Sequence, residues 1–430
     1  MNHADSTKLR YPIQAWAIWF LSAFFMFYKY ALEVSPSVMT HTLMSSFHIN
    51  GVQLGNLVAC YFYAYLLLQI PAGLLIDRFG PRKVTSLAIL LCALGSFVFA
   101  HSTTVMVAGF ARFAMGVGAA FGVVNCLKLT ANWFPPRRFA FMTGLMMSIA
   151  MLGAVGGQAP LAAFIQAVSW NTAIQIIAFV GFGLALLFFL IVRDKAPDHK
   201  TDKALSTTKL SLIASLKEIL ARRESWWISI YSGFAFASVM IFGGLWGVSF
   251  IKEAYFLDTN FAAQAVSLLF IGFAVGAPVF GWYSDWLGRR KIVIFWGTFL
   301  AFISISLVIY CPTSSFYYLG LLLFLFGFFI SSFLLCFAMI REVNKASLAA
   351  TAVGFMNAFQ ALFGAGADLL TGKILDMTWG GTMLEGARVF SASSYQTAFL
   401  VIPITLVISL LALLKVKDTQ AKDSTPSSLP

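Results

Sequence analysis

Three ionisable residues interrupt long apolar runs in the first third of the chain: Lys29, Glu33 and Arg112. A charged side chain inside a hydrophobic span is costly, so each of them is a candidate site residue. Lys29 and Glu33 are four positions apart, which places them on one helix face and close enough to pair. Together the three residues offer cations for an anionic group, and a carboxylate for a cationic group or a proton. Alternatively, Lys29 and Glu33 neutralise each other and serve only membrane insertion.

Arg112 is followed by small residues at helical spacing, Gly116, Gly118 and Ala119. Small residues of this kind allow close packing of helices in a membrane. We therefore interpret the glycines as a packing surface and the arginine as a functional residue.

Two further helix faces carry polar side chains. In a late apolar run, three polar residues share one face, because eleven residues make almost three helical turns. Its aspartate is a second candidate proton carrier, or else it reaches the outer interface. An early run has a face with two tyrosines and an amide, which either packs against neighbours or covers a bound ligand. The first face consists of Asn357, Gln360 and Asp368, and the second of Tyr61, Tyr65 and Gln69.

The elements that must position these residues are membrane spans. Of the 430 residues, 60% are hydrophobic and only 11% are charged, whereas charged residues make up about a quarter of a soluble chain. The net charge of +12 is explained by positive residues that accumulate in cytoplasmic loops. No nucleic-acid partner is therefore predicted. The five cysteines lie in apolar runs without C-x-x-C spacing, so we interpret them as packing residues and predict no metal site.

A bilayer core about 30 Å thick is crossed by roughly 20 apolar residues, and the chain has twelve such runs. They predict a first half at 1–193, a linker at 194–224, a second half at 225–416 and a disordered cytoplasmic tail at 417–430. Apolar residues at helical spacing in the linker, including Leu212 and Ile213, predict an amphipathic helix on the membrane surface. The runs fall near 12–40, 52–76, 83–101, 104–130, 139–166, 170–193, 225–251, 262–284, 291–311, 315–340, 348–375 and 395–415.

The pattern G-x-x-x-D-x-x-G-x-R-[KR] occurs twice, 208 residues apart, after the second apolar run of each half. A repeat at this period indicates one structural unit duplicated in tandem. Both copies resemble the loop signature of the major facilitator superfamily of secondary transporters. The resemblance implies an all-α membrane fold of twelve helices in two pseudo-symmetric six-helix halves. The gate residues it implies are Gly73, Asp77, Arg78, Gly80, Arg82, Lys83, Gly281, Asp285, Gly288, Arg289 and Arg290.

In the family this loop helps to hold the outward-facing state and opens when the cytoplasmic side opens. We expect its cations to pair with an acidic group or with helix C-terminal carbonyls of the other half. The run from Arg112 to Gly116 resembles the family's fourth-helix R-x-x-x-G pattern, whose arginine is linked to proton coupling or substrate contact.

Residues 28–83 resemble a branch of the superfamily that includes bacterial intraphagosomal amino-acid transporters and is similar to lysosomal dipeptide carriers. Both signs of charge in the first half also suit a zwitterion, so an amino acid or short peptide is the favoured cargo. The uncharged seventh run, 225–251, lacks one arm of the clamp that phosphate exchangers of this superfamily use. The alternatives are an exporter of a siderophore or drug-like compound, and a non-transporting membrane sensor.

The predicted function is alternating-access transport of a small polar solute, coupled to H⁺, by a monomer in a bacterial inner membrane. No nucleophile, base or metal cluster converges in the spans, so neither an enzyme nor a cofactor is predicted. The predicted substrate contacts are Lys29, Glu33, Arg112, Tyr61, Tyr65, Asn357 and Gln360, and the predicted proton carriers are Glu33 and Asp368.

The distribution of basic residues predicts the orientation. All but five of the 29 Lys and Arg lie at or near one face of the predicted bundle, which places both termini in the cytoplasm. Alkaline phosphatase, which needs an oxidising compartment to form its disulfides, should be inactive when fused within 194–224 and active when fused within 252–261. Activity at the first position and not at the second would contradict this topology.

Overall fold

The computed structural model of the chain describes residues 13–194, 212–312, 315–345 and 348–418, and only the backbone at residues 70, 77, 136–137, 139–140 and 212–215. The predicted tail beyond 418 and the linker from 195 to 211 lie outside the described residues. So do the side chains of Asp77, Leu212 and Ile213. Within the described ranges the chain is helical apart from one short hairpin, so the predicted all-α fold class is confirmed.

The described part of the first half forms six long helical segments. The first continues into a 3-10 turn, Ser35–Val38, and the fourth and fifth each contain a short break. The helices are α1 (Ile13–Val34), α2 (Thr40–Phe47), α3 (Gly51–Phe79), α4 (Pro81–Ala100), α5 (Val105–Ala119), α6 (Gly122–Trp133), α7 (Pro136–Gly156), α8 (Ala159–Val168) and α9 (Trp170–Ile191).

In the second half, a short helix in the predicted linker precedes the long segments. A π-helical stretch, Met240–Trp246, and a 3-10 stretch, Ser331–Leu335, interrupt two of them. Strands β1 (Met383–Leu384) and β2 (Ala387–Arg388) pair antiparallel, with Met383 opposite Arg388. The helices are α10 (Leu212–Leu220), α11 (Arg223–Val239), α12 (Gly247–Tyr255), α13 (Thr259–Leu287), α14 (Arg290–Tyr310), α15 (Phe316–Ile330), α16 (Cys336–Glu342), α17 (Ala349–Met377), α18 (Ala392–Ala398) and α19 (Val401–Leu414).

The duplication is visible in α3 and α13, which are both 29 residues long. Each begins at a side-chain cap: Asn50 and Asp258 each accept a hydrogen bond of 2.9 Å from a backbone N–H of the first turn. Each ends on a glycine with positive φ, +84° at Gly80 and +68° at Gly288. Glycine adopts these angles without steric cost, which explains why both copies of the loop pattern have a glycine there.

Eleven of the twelve predicted spans meet the length and apolarity expected of a membrane-crossing helix in the described residues. The twelfth, α17, is as long as α3 and α13 but less apolar, because it carries Asp368, Lys373 and Asp376. Two of these charged residues lie against other parts of the protein. Asp368 is buried, and Asp376 contacts the first half.

The two halves meet along α3 and α17, which pack side by side over most of their length. A Cβ on Gly51 would lie 2.9 Å from the carbonyl oxygen of Gly372, and a Cβ on Gly55 would lie 2.8 Å from that of Asp368. These separations are too short for a side chain, so glycine is required for the close approach. We call this contact the α3–α17 seam.

Asp376 closes the seam at the end of the bundle away from the linker. Its carboxylate accepts hydrogen bonds from the backbone N–H groups of Gly51 (2.9 Å) and Val52 (2.8 Å), and from Arg388 Nη1 (2.9 Å). The first amides of a helix have no partner within the helix, and the helix dipole favours a negative charge beside them. The second half therefore caps a helix of the first half.

Asp376→Asn should weaken this closure, because the amide removes the charge that faces both the helix N-terminus and Arg388. A charge-assisted hydrogen bond contributes about 1.5–3 kcal/mol, so the apparent melting temperature of the purified protein should fall. Glu385→Gln, an acid-to-amide change in the exposed hairpin, is the control and should leave it unchanged. Equal melting of both variants and the wild type would show that the cap does not hold the halves together.

Candidate functional site

Lys29 and Glu33 form an ion pair in the interior of the first half. Nζ and Oε2 are 3.1 Å apart, and the side chains are 2% and 3% exposed. The Tyr61 hydroxyl donates to the same Glu33 oxygen at 3.3 Å. Lys29 Nζ also lies 4.0 Å from the ring centroid of Tyr30 and 4.8 Å from that of Tyr65. The negative faces of these rings favour the ammonium group, so its charge is compensated from three directions.

Arg112 is held beside this pair by the backbone of α1 and a ring of α3. Its Nη1 donates to the Leu32 carbonyl at 2.8 Å, and its guanidinium carbon lies 5.0 Å from the Tyr61 ring centroid. Gly116, one turn further along α5, packs against the Tyr61 backbone where a Cβ would clash. The glycine thus brings α5 close to α3, and the arginine is positioned by that approach.

The second half contributes two amides. Asn357 Nδ2 donates to Gln69 Oε1 at 3.1 Å, which joins α17 to α3, and Gln360 Nε2 donates to the Ser232 hydroxyl at 2.7 Å. A cavity of about 40 Å³ lies between the halves, with walls from both. It is lined by Lys29, Tyr30, Glu33, Phe62, Tyr65, Phe236, Asn357, Gln360 and Ala361.

Five of the seven sequence-predicted substrate residues therefore line one cavity. Tyr61 and Arg112 lie behind it and contact Glu33 and the backbone next to it. Sequence reasoning missed Phe62 and Phe236, whose rings are 6.5 Å apart across the two halves. Nothing in the sequence marks these two among the 44 phenylalanines. Asp368 is buried on α17 and does not belong to the cavity lining.

In the first predicted gate loop, the described contacts are with the first half and with Asp194, the first residue of the predicted linker. The Arg82 backbone N–H donates to Asp194 at 2.7 Å, and Arg82 Nε donates to the Phe189 carbonyl at 2.7 Å. Arg78 lies over the ring of Phe79, with 5.2 Å to the centroid. Lys83 is exposed, and Gly73 faces open space towards α6.

The described cation contacts of the second gate loop also lie within one half. Arg290 pairs with Asp285 at 3.3 Å and with Glu342 at 2.8 Å, and Lys291 Nζ donates to the Val416 carbonyl at 2.7 Å. Gly281 and Gly288 have open space around them, and Arg289 does not enter the described ion pairs. Contacts with the other half, which were expected for the outward-facing state, are not among the described contacts of these loops in this conformation. The acids and helix C-terminal carbonyls that these cations contact belong to their own half.

The positions of the described polar contacts between the halves explain why the gate-loop cations find their described partners in their own half. They lie at mid-height, as in Asn357–Gln69, or towards the end away from the linker, as in Asp376–Gly51 and Gln158 Nε2 to the Gly243 carbonyl at 2.8 Å. The gate loops are at the linker end. The described polar contacts between the halves lie away from these loops, and the described contacts of each loop are with its own half or with the linker residue Asp194.

Two equivalent helical halves with a charged cavity between them are the architecture of a secondary transporter. The chain belongs to the Major Facilitator Superfamily, whose model matches residues 18–367 and 228–429. It is an integral, multi-pass membrane transporter and not an enzyme.

Curated relatives are transporters as well. The chain is 25% identical over 291 residues to the uncharacterized transporter YybO of Bacillus subtilis (strain 168), which covers 63% of this chain and 66% of that protein. It is 25% identical over 377 residues to a probable L-galactonate transporter of Escherichia coli (strain K12), with 81% of each chain covered. It is 23% identical over 389 residues to a hexuronate transporter of Bacillus subtilis (strain 168), with 83% and 88% covered.

A solved structure shares the fold. The bacterial homolog of the human lysosomal transporter Spinster, in an inward-facing and unoccupied conformation, superposes with a TM-score of 0.75 at 14% identity. The match covers 93% of this chain and 97% of that one.

The Lys29–Glu33 pair predicts a clear pattern of stability. Lys29→Met or Glu33→Gln alone leaves a buried charge without its partner, which costs about 3–5 kcal/mol. The double variant removes both charges and should melt close to the wild type. The measurement is the melting temperature in detergent of the wild type, the two single variants and the double variant. Additive losses in the double variant would show that the two charges do not depend on each other.

Proposed function

We propose that this transporter moves a small hydroxylated carboxylate, of the sugar-acid class, by alternating access and with a coupled proton. The observation that carries the proposal is the cavity between the halves. It has the buried ammonium of Lys29 on one wall and the amides of Asn357 and Gln360 on the other.

A sugar acid has one carboxylate and several hydroxyl groups. Lys29 Nζ is the cation that faces the cavity and suits the carboxylate. The hydroxyl groups can both donate and accept, which matches the amides of Asn357 and Gln360 and the phenol of Tyr65. The names of the L-galactonate and hexuronate relatives, which cover more than four fifths of this chain, support the same class.

Amino acids and short peptides are the second candidate, and Glu33 favours them. Its carboxylate lines the cavity beside Lys29, so the pair presents both signs of charge to a zwitterion. The resemblance of residues 28–83 to an amino-acid branch supports the same class. The two candidates differ in one respect: a zwitterion uses Glu33 as a ligand, whereas a sugar acid leaves it paired with Lys29.

Binding requires the cavity to widen. Its 40 Å³ holds only about three water molecules. Since its walls come from both halves, a relative movement of the halves changes its size, as alternating access requires. The coupled proton is carried by one of the buried carboxylates, Glu33 or Asp368.

Uptake into proteoliposomes with an alkaline interior tests the substrate class. We expect accumulation of L-galactonate or a hexuronate that a protonophore abolishes, and none of a neutral hexose. The Lys29→Met/Glu33→Gln double variant should lose at least about tenfold, since a charge-assisted hydrogen bond is worth about 1.5–3 kcal/mol and 1.4 kcal/mol is tenfold.

The matched control removes another Lys–Glu pair, Lys345–Glu218, whose atoms are 2.8 Å apart at the linker end. Lys345→Met/Glu218→Gln should transport normally. Accumulation of an amino acid or dipeptide, with no sugar acid taken up, would replace the first candidate by the second. Proton-driven expulsion of a hydrophobic cation would overturn both.

A further inference from the structure

A buried pair of amides joins the two halves beside the cavity. Asn357 Nδ2 donates to Gln69 Oε1 at 3.1 Å, and the two residues are 8% and 6% exposed. Asn357 lines the cavity, whereas Gln69 does not. Gln69 Nε2 has no hydrogen-bond partner among the residues that the structure describes. A buried amide N–H group without an acceptor is unfavourable, so a solute oxygen placed next to this nitrogen would be stabilised there.

Gln69 lies on the same face of α3 as two residues of the cavity wall. Phe62 and Tyr65 precede it by seven and four positions, and residues at these spacings share one side of a helix. α3 runs towards the linker end, so Gln69 lies about 6 Å beyond Tyr65 in that direction. On the antiparallel α17, Asn357 likewise lies on the linker side of Gln360. The amide pair therefore forms the linker-side edge of the cavity on both helices.

A solute of the proposed class needs more space than the cavity offers in this conformation. Its volume of about 40 Å³ is too small for a six-carbon sugar acid. Away from the linker the seam is closed, because Gly55 is pressed against the carbonyl of Asp368. Phe62, Phe236 and Ala361 form apolar parts of the wall. In the direction of the linker the next polar groups are the two amides, so extension of the cavity on this side brings the solute to Gln69.

The turn of α3 that carries Gln69 is also the turn that bends most easily. Pro71 lies inside the helix. Proline has no N–H group, so the helical hydrogen bond from position 71 to the Leu67 carbonyl is missing. Gln69 lies between these two residues, and proline is a common cause of bending in long helices. Bending of α3 at this turn would separate Gln69 from Asn357 and extend the cavity between them.

Lys29 marks the other end of the space that a solute would fill. Its Nζ lines the cavity and lies 4.8 Å from the ring centroid of Tyr65. Gln69 follows Tyr65 by one further helical turn. Lys29 and Gln69 are thus a cation and a neutral donor on the two sides of Tyr65, which suits a solute with a carboxylate at one end and hydroxyl groups at the other.

We propose that Gln69 is a further solute-binding residue, which recognises the far hydroxyl groups of a sugar acid whose carboxylate is held by Lys29. This inference rests on the sugar-acid class proposed above. When the solute is bound, Gln69 Nε2 donates to a hydroxyl oxygen, and Gln69 Oε1 accepts from a solute hydroxyl group in place of Asn357. Gln69 then selects for length, because a three-carbon acid held by Lys29 ends before it reaches the amide.

Gln69→Met tests this role, since methionine has nearly the same shape and no hydrogen-bonding amide. The probes are L-galactonate and glycerate, a three-carbon hydroxylated carboxylate, and their apparent Kd values come from ligand-dependent melting temperatures in detergent. Binding of L-galactonate should weaken up to about tenfold, which is the contribution of one or two hydrogen bonds. Binding of glycerate should stay within about twofold of the wild type. Lys29→Met/Glu33→Gln should weaken both acids, because both use the ammonium group.

Gln166→Met is the matched control. It removes another amide pair between the halves, in which Asn260 Nδ2 donates to Gln166 Oε1 at 2.7 Å in an exposed position. It should bind both acids as the wild type does. If Gln69→Met does not fold, Gln69→Asn takes its place. That variant keeps an amide but draws it back by one methylene group, so it should also weaken L-galactonate more than glycerate.

The outcomes separate a failure of this inference from a failure of the proposed substrate class. Equal weakening of both acids in Gln69→Met, together with a lower melting temperature, would give Gln69 a structural role only. Unchanged binding of L-galactonate would show that Gln69 does not contact the solute. A wild type that binds glycerate as tightly as L-galactonate would refute the selection for length. A wild type that binds neither acid would overturn the sugar-acid class, and this inference with it.

Discussion

The cost of holding charge inside a membrane is the constraint on which the rest of this structure depends. Lys29 and Glu33 meet it by pairing at 3.1 Å, with tyrosine rings and a hydroxyl around them. Arg112 meets it in part, through one backbone carbonyl and one ring. Asp368 has one carboxylate oxygen without a described partner. The buried charges therefore differ in how far the surrounding protein compensates them.

The two halves share an architecture but not a chemistry. α3 and α13 have the same length, the same kind of cap and the same terminal glycine. Among the described residues, however, the buried cations lie in the first half, and the second half supplies amides and one buried acid. A duplicated frame allows rigid movement of one half against the other, whereas recognition requires different groups on the two sides of the cavity.

Much of the fold could be predicted from the sequence, because the length of an apolar run depends only on residues that follow one another along the chain. The predicted runs agree with the helices to within a few residues, including α17, whose charges lower its apolarity. The Lys29–Glu33 pair could also be predicted, since residues four apart on a helix must face the same way. The contacts of Arg82 and Arg290 within their own halves could not be predicted, because the sequence carries no information on which conformation the halves adopt. The preference for an amino acid rested on a local resemblance and on the two signs of charge in the first half, whereas two relatives matched over more than four fifths of the chain are named for L-galactonate and hexuronate.

The sequence by itself determined the spans, the duplication and the one buried ion pair, because each depends on residues that are neighbours along the chain. Only the tertiary structure decided that Arg112 reaches a carbonyl 80 residues away, that Asp376 caps a helix 325 residues away, and that Asp368 Oδ1 has no donor among the described residues. Such contacts arise from how whole helices pack, and this packing is the sum of many weak interactions along the α3–α17 seam. A single carboxylate looks the same in the sequence whether this packing gives both of its oxygens a partner or leaves one without.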